Sequence, residues 1–428
     1  KSKKGLRWTG DCCCNMFKTS IINIALRGLT LASKFLLMIS MVKHLPTDDV
    51  GTYGIFTAAI SISLYFLGMD FYTYTNRQMF SRPKEEWALL VRDQFVLHVI
   101  LYAIVLPLLL GVFIYGVLPW QLIVFFYLIL ILEHLAQELY RLLINISRPI
   151  QANIVLFLRG GAWVYAVIAL SLLGIHGLGY VWTGWLIGLC GSLALSAYFL
   201  RDMDWRLCFQ RQIDWLWIRK GVGVSLPFFI GTIFLKLIEY IDRFILDYFH
   251  GSSQVGIYTF FYSMANVVQV FVHTGVISIL YPKIIESFTN GKYLEYRSYM
   301  RKMTVQSIGG VAILSVCAFI GISILLLLLD KPEFNEHKNV FIIILISIGF
   351  NIISNIPHYS LFVRSKDSAI LICTIITFII SISSNFLFVP KYGLYGTGFS
   401  MLISMISLFG MKCVALIFLQ NKPMKEGQ

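Results

Sequence analysis

The chain has 428 residues, 57% hydrophobic and only 13% charged, with a mean hydropathy of +0.75. A soluble domain carries about 25% charge, so an ordinary water-soluble globule is excluded. The 35 Lys and Arg outnumber the 22 Asp and Glu, giving a net charge of +13. In a soluble protein that excess would suggest nucleic acid, but here it must first be set against membrane topology.

A helix needs about 20 apolar residues to cross a hydrocarbon core of about 30 Å. Twelve such segments follow one another: 18–44, 51–75, 87–115, 119–145, 151–174, 178–200, 222–248, 255–281, 303–329, 339–364, 369–389 and 396–419. Proline and glycine punctuate the joints, as at Pro46, Pro119, Gly177, Gly251, Pro332 and Gly393. The runs are too long and too evenly apolar for barrel strands, so an all-α polytopic membrane protein is expected. No signal-peptide pattern is read before the first run. The eight cysteines lie mostly in apolar segments and form no disulfide framework. The run Cys12-Cys13-Cys14 reads as an unmodified thiol run, with acylation or metal binding as the rival readings.

Lys and Arg orient the bundle. One set of connections, with both tails, holds 25 of them; the alternate set holds only Lys43, Lys331, Lys338 and Lys391. Both termini are therefore expected in the cytoplasm, and nucleic acid is not needed to explain the charge. The outer connections are short and leave no room for a catalytic domain. The longest inner ones, 201–220 and 282–302, are basic and aromatic; they read as amphipathic helices on the membrane surface, with ordinary juxtamembrane anchors as the favoured reading.

Short motifs recur. Val50-Gly51-Thr52-Tyr53 opens span 2 and Val255-Gly256-Ile257-Tyr258 opens span 8, 205 residues on. His176-Gly177-Leu178 and Tyr392-Gly393-Leu394 sit at an offset of 216. Six spans plus six in the same orientation imply two six-helix lobes with pseudo-two-fold symmetry about the membrane normal, a transporter plan. The expected parts are a cytoplasmic tail 1–17, an N-lobe 18–200, a linker 201–221, a C-lobe 222–419 and a cytoplasmic tail 420–428.

Six cations remain inside spans: Arg27, Lys34, Arg159, Lys236, Arg243 and Lys412. Such residues are costly in a bilayer and face a cavity or a partner. Arg27 and Lys34 are seven apart and share a helix face; Lys236 and Arg243 repeat that spacing 209 residues later. One reading is local pairing, with Glu239 in reach of both Lys236 and Arg243 and with Asp70 and Asp242 as further carboxylates. The favoured reading is a cationic lumen lined by Arg27, Lys34, Arg159, Lys236 and Arg243, suited to phosphate or pyrophosphate. In span 4, His134, Glu138 and Arg141 form one stripe beside Glu133. It reads either as a proton relay or gate, or as a structural pair with a hydrogen-bonded His. Asn266, Gln269 and His273 with Tyr258 and Tyr262 could line a sugar path; interhelical hydrogen bonds and packing are the favoured reading.

No phosphate-binding loop, zinc motif, nucleophile elbow or paired Cys motif occurs, so an enzyme is not expected, nor a resident cofactor. Coupling to protons or sodium stays open. Asp48-Asp49 in the first outer loop reads as the acidic start of the next helix rather than as a catalytic pair.

These residues resemble those of a known family. Leu45-Pro46-Thr47-Asp48-Asp49-Val50-Gly51-Thr52-Tyr53-Gly54 is similar to the span 1–2 joint of Wzx-type polysaccharide flippases. Ile241-Asp242-Arg243-Phe244-Ile245-Leu246, then Val255-Gly256-Ile257-Tyr258, resembles their span 7–8 region. Pro390-Lys391-Tyr392-Gly393-Leu394-Tyr395-Gly396 resembles the joint before their last span. The motifs are shared across the multidrug/oligosaccharidyl-lipid/polysaccharide (MOP) exporter superfamily, which also holds the MATE transporters. The resemblance implies a MOP/MATE-like fold in a bacterial inner membrane. The implied cargo is an undecaprenyl-pyrophosphate-linked oligosaccharide, turned outward for O-antigen, capsule or related polymers. Membrane lipids, a polysaccharide polymerase and a chain-length regulator are the partners it suggests. The resemblance assigns no ion site to Asp70, Glu138 or Glu239. The rival readings are a lipid II flippase or drug/cation antiporter of the same superfamily, and an O-antigen polymerase or ligase from a different class.

Overall fold

The computed structural model describes residues 8–420, with side chains from 22 to 418. The first seven and last eight residues of the expected tails, and the side chains of Cys12, Cys13 and Cys14, therefore lie outside it. Every regular element among the described residues is helical. In chain order they are α1 (Trp8–His44), α2 (Thr47–Gly68), α3 (Tyr72–Ser81), α4 (Trp87–Leu109), α5 (Gly111–Ile114), α6 (Ile123–Asn145), α7 (Pro149–Phe157), α8 (Trp163–Leu172) and α9 (Leu178–Phe199). Then come α10 (Leu207–Gln210), α11 (Trp215–His250), α12 (Ser252–Val272), α13 (Ser278–Thr289), α14 (Tyr293–Leu329), α15 (Pro332–Glu336), α16 (Lys338–Ile353), α17 (Asn355–Phe362) and α18 (Asp367–Gln420).

Eleven stretches among the described residues are long and apolar enough to cross a membrane. The last, within α18, holds two of the twelve expected spans. Gly393 breaks it with φ 51° and ψ −124°, a left-handed backbone that favours glycine. Pro390 lacks an N–H just before the break. His250 Nε2 donates to the Val389 carbonyl at 2.8 Å, satisfying an acceptor four residues before Gly393.

Other boundaries differ from the hydropathy reading for local reasons. Span 2 ends at Gly68, not near 75, because Met69 and Asp70 both take positive φ (48° and 49°). Spans 5 and 8 are each interrupted by a wide π-helical turn, Leu158–Ala162 and His273–Ile277. The inner connections are not separate surface helices. Residues 201–214 are irregular apart from α10, and Trp215 already starts α11. The 282–302 segment is the end of α13 and the start of α14, joined at Gly291 with φ 70°.

The chain forms two compact units. One comprises the chain up to Leu45 with Ala59–Ile230; the other comprises Pro46–Ala58 with the chain from Gly231 on. In the first, α1 packs on α7 and α8, and α6 packs on α7 and α9. Phe71, Tyr74 and Trp217 cluster at one end of it, with Trp217 5.3 Å from Phe71 and 5.2 Å from Tyr74 between ring centroids. A Cβ on Gly221 would stand 2.5 Å from the Phe71 ring, so only glycine lets α11 seat here. In the second unit α12 packs on α14 and α16, and α18 packs on α16 and α17. Its segment Pro46–Ala58 crosses α12 through small residues: a Cβ on Gly54 would stand 2.2 Å from Thr259 Oγ1. Asp48 and Asp49 lie in the first turn of α2, where the helix dipole favours acid.

Candidate functional site

The first unit carries an exposed cation inside a span, Ile22–His44. Arg27 Nε donates to Asn153 Oδ1 at 3.1 Å, and Nη2 to Tyr140 Oη at 3.3 Å. Asn153 is itself held by Asn23 Oδ1 at 2.8 Å and the Pro149 carbonyl at 2.9 Å. These partners are neutral. Among the described residues no carboxylate lies within ion-pair distance of Arg27. Arg27 is exposed.

Lys34 is also exposed. Its Cε lies 3.5 Å from where a Cβ on Gly160 would stand, so its stem runs along the π-helical turn. That turn carries Arg159, which bonds Glu133 Oε1 through Nε at 2.8 Å and Nη2 at 2.5 Å. Trp185 Nε1 donates to the other carboxylate oxygen at 3.2 Å. Lys34 sits within the field of both charges. Gly161 makes the turn tight, since a Cβ there would meet the Phe157 ring at 2.8 Å. Of the three expected lumen cations in this unit, Arg27 and Lys34 are exposed and Arg159 is neutralised.

A second polar cluster is buried. His134 is 1% exposed, and its Nδ1 shares a 2.6 Å hydrogen bond with the Tyr102 hydroxyl. Glu138 accepts from Arg141 Nη1 at 2.5 Å and from Gln94 Nε2 at 2.6 Å. The Arg141 guanidinium lies 3.7 Å over the Tyr72 ring, with buried Asp70 beside it. The structure therefore brings Asp70, His134, Glu138 and Arg141 together. It adds His98, whose ring centroid is 4.6 Å from that of His134.

In the second unit the matching cations are compensated. Lys236 Nζ is 2.7 Å from Glu239 Oε2, and both are partly exposed. Arg243 is 3% exposed. Its Nη1 is 3.2 Å from Asp242 Oδ1 and 2.8 Å from the Glu239 carbonyl. Tyr262, Tyr240 and Tyr258 surround the guanidinium at 4.5, 5.0 and 5.4 Å from their ring centroids. Tyr258 donates to Asp242, and Tyr262 donates to Glu239 at 3.3 Å. Both tyrosines thus belong to the Arg243 cage in this conformation. Along the same side of the unit Asn266 is half-buried, Gln269 accepts from Asn351 at 3.2 Å, and His273 is exposed on the second π-helical turn. Lys412 is 5% exposed near Cys373 and His358, and has no ion pair among the described residues.

Reading the sequence missed Asn23, Tyr140 and Asn153 around Arg27, the Arg159–Glu133 pair, and His98, Tyr102 and Gln94 around the buried stripe. A lone His in apolar span 3 was the available signal for His98. The others are neutral residues, or partners from another helix, that spacing along one segment cannot single out.

The chain has relatives. The family described as polysaccharide biosynthesis protein matches residues 16–288. No curated protein sequence matches significantly. Among solved structures, an inward-facing multidrug resistance MATE family transporter of the MOP superfamily is similar with TM-score 0.74 at 13% identity, covering 94% of this chain and 99% of that one. The lipid II flippase MurJ in an inward closed conformation is similar with TM-score 0.71 at 14% identity, covering 96% of this chain and 88% of its own. A mutant form of the Vibrio cholerae MATE transporter VcmN is similar with TM-score 0.59 at 14% identity, covering 95% and 98%. At these identities the likeness shows the fold: an all-α, multi-pass membrane protein of the MOP architecture.

Proposed function

The chain belongs to the polysaccharide biosynthesis protein family, and from that premise we propose that it is a flippase for an undecaprenyl-pyrophosphate-linked oligosaccharide repeat unit. It would carry the unit from the cytoplasmic to the outer leaflet of a bacterial inner membrane, with both termini in the cytoplasm. No bond in the cargo is broken. A polymerase and a chain-length regulator would take the product on for O-antigen or capsule assembly.

The observation that carries the reading is Arg27. A guanidinium inside a span, exposed and held among the described residues by the neutral Asn153 and Tyr140, offers its charge to an anion. Lys34 extends that surface by two helical turns. A pyrophosphate crossing outward gains about 2.3 kcal/mol per charge per 100 mV in an inside-negative membrane, so the obstacle is desolvation. An exposed cation lowers it. The likeness to multidrug MATE transporters raises a cationic drug as rival cargo, but Arg27 and Lys34 would repel it.

The test is flipping of a fluorescent lipid-linked oligosaccharide in liposomes. Arg27→Gln is expected to slow flipping with little change in Tm, because exposed substitutions usually shift stability by about 0.5 kcal/mol or less. Unchanged flipping by Arg27→Gln and Lys34→Gln together would remove the anionic-cargo reading.

A further inference from the structure

The first unit buries two histidines side by side. His98 on α4 and His134 on α6 are 2% and 1% exposed and meet edge to face. The Nε2 atoms of both are enclosed and have no hydrogen-bond partner among the described residues. Buried polar atoms are seldom left so, and two on adjoining rings call for an explanation.

The surroundings decide what binds. Glu138 and Arg141 face the pair from α6, and Arg159 from the π-helical turn. Tyr102 and Gln94 come from α4, the backbone of Gly68 from the end of α2, and Asp70 and Tyr72 from the break after it. The two carboxylates of α6 are already engaged, Glu138 by Arg141 and Gln94 and Glu133 by Arg159 and Trp185, and Asp70 lies beside Arg141. A hard cation such as sodium needs several free oxygen ligands. Among the described residues no group of three or more His, Cys, Asp or Glu is placed to hold a metal. Two imidazoles with idle nitrogens take a proton instead, which turns an acceptor into a donor.

We propose that His98 and His134 together form a one-proton binding centre, and that the proton is the coupling ion of this transporter. The second clause rests on the flippase reading; the first does not. One proton adds one positive charge, and a second is opposed by the first and by Arg141 and Arg159. The charge draws on Glu138 and competes with Arg141 for it. Arg141 in turn lies on Tyr72, next to the left-handed break at Met69 and Asp70. An apolar bundle opposes an added charge, so uptake and movement of this break occur together. Gly68 is where the parts converge: a Cβ there would stand 3.0 Å from His134 Nε2 and 3.8 Å from Glu138 Oε1.

The experiment uses the full chain with 15N-labelled histidine in nanodiscs, titrated from about pH 8 to about pH 4, spanning the ordinary range of histidine, and separately with NaCl. His98→Gln and His134→Gln assign the two imidazoles. Expected are two signals that shift together with pH, ignore sodium, and lose their common transition in either variant. Gly68→Ala removes no titratable group and is expected to displace the transition while the protein stays folded. Signals that do not titrate, titrate independently, or move with sodium overturn the proton centre. Flipping in liposomes with an imposed pH or sodium gradient then tests coupling. A pH gradient should drive the wild type and not His98→Gln; a sodium-driven wild type, or a pH-driven variant, overturns the coupling. Joint titration in a chain that flips nothing would sink the flippase reading and leave the proton centre standing.

Discussion

Gly51 and Gly256 meet face to face. A Cβ built on Gly51 would stand 1.8 Å from the Ser252 carbonyl oxygen and 3.1 Å from the Gly256 nitrogen; one built on Gly256 would stand 2.3 Å from the Thr47 carbonyl oxygen and 3.1 Å from the Gly51 nitrogen. The two copies of the repeated Val-Gly-x-Tyr motif are thus each other's packing partner. The obstructing atoms are backbone and cannot swing aside. Gly51→Ala and Gly256→Ala are expected to cost about 1–3 kcal/mol, the usual range for overpacking, read as a fall in Tm. Gly191→Ala is the control: nothing lies within 4 Å of its Cβ position, so it should be neutral or gain about 0.5–1 kcal/mol from helix propensity. Equal Tm for all three would refute the close approach.

That contact also marks how far the sequence was legible. The repeat was visible at an offset of 205 and read as symmetry; that its glycines touch was not, since spacing along a chain does not show which helices cross. Span number was legible because each crossing needs its own apolar run. The end of span 2 was not, because hydropathy is blind to the positive φ of Met69 and Asp70. Pairs within one helix turn were readable, as with Glu138–Arg141 and Lys236–Glu239. Pairs between helices were not: Arg159 finds Glu133 26 residues away, and Arg27 finds Asn153 126 away. Arg243 takes Asp242, its immediate neighbour, for a carboxylate and leaves the Glu239 side chain to Lys236.

The Arg159–Glu133 pair supports a second prediction. Both side chains are largely enclosed, at 13% and 12% exposure. Glu133→Gln strands the Arg159 charge and weakens the acceptor of Trp185. Removing one partner of a buried pair costs about 3–5 kcal/mol, whereas replacing both by apolar groups is often neutral. Glu133→Gln should therefore lower Tm markedly, and Glu133→Leu with Arg159→Met should recover much of the loss. A double variant no better than the sum of the singles would show that the pair is not coupled.

Cys208 offers a pH-dependent readout in the connection between α9 and α11. Arg92 fixes this stretch by donating to the carbonyls of Cys208 at 2.8 Å, Gln212 at 2.9 Å and Arg211. Burial pushes the Cys208 thiol up, against the opposing pull of Arg92. The reactive thiolate is therefore scarcer in the folded chain than in an unfolded one at the same pH. Since the raised value belongs to an acid, its contribution lowers stability as pH rises past the ordinary thiol value. Peptide-resolved alkylation should find Cys208 slower in the folded protein than in denaturant at pH 8, with the gap closing at higher pH. Equal rates in the two states would contradict the burial.

Glu239 separates cargo binding from stability in the second unit. Its carboxylate holds Lys236 at 2.7 Å and accepts from Tyr262 at 3.3 Å, and the ion pair is a quarter to a third exposed. Such pairs are worth about 0–1 kcal/mol, so Glu239→Gln should barely move Tm. It would, however, remove the negative charge that Glu239 sets against Lys236 and against any anion nearby. Asp242→Asn is the contrast, because Arg243 and Asp242 are enclosed at 4% and 5% side-chain exposure. Losing that carboxylate strands a buried guanidinium, at about 3–5 kcal/mol, and Tm should drop. The expected signature of Glu239→Gln is tighter binding of inorganic pyrophosphate by calorimetry with slower flipping, since a substrate held harder leaves later. Weaker pyrophosphate binding at unchanged Tm would mean that Glu239 supports anion binding rather than competing with it.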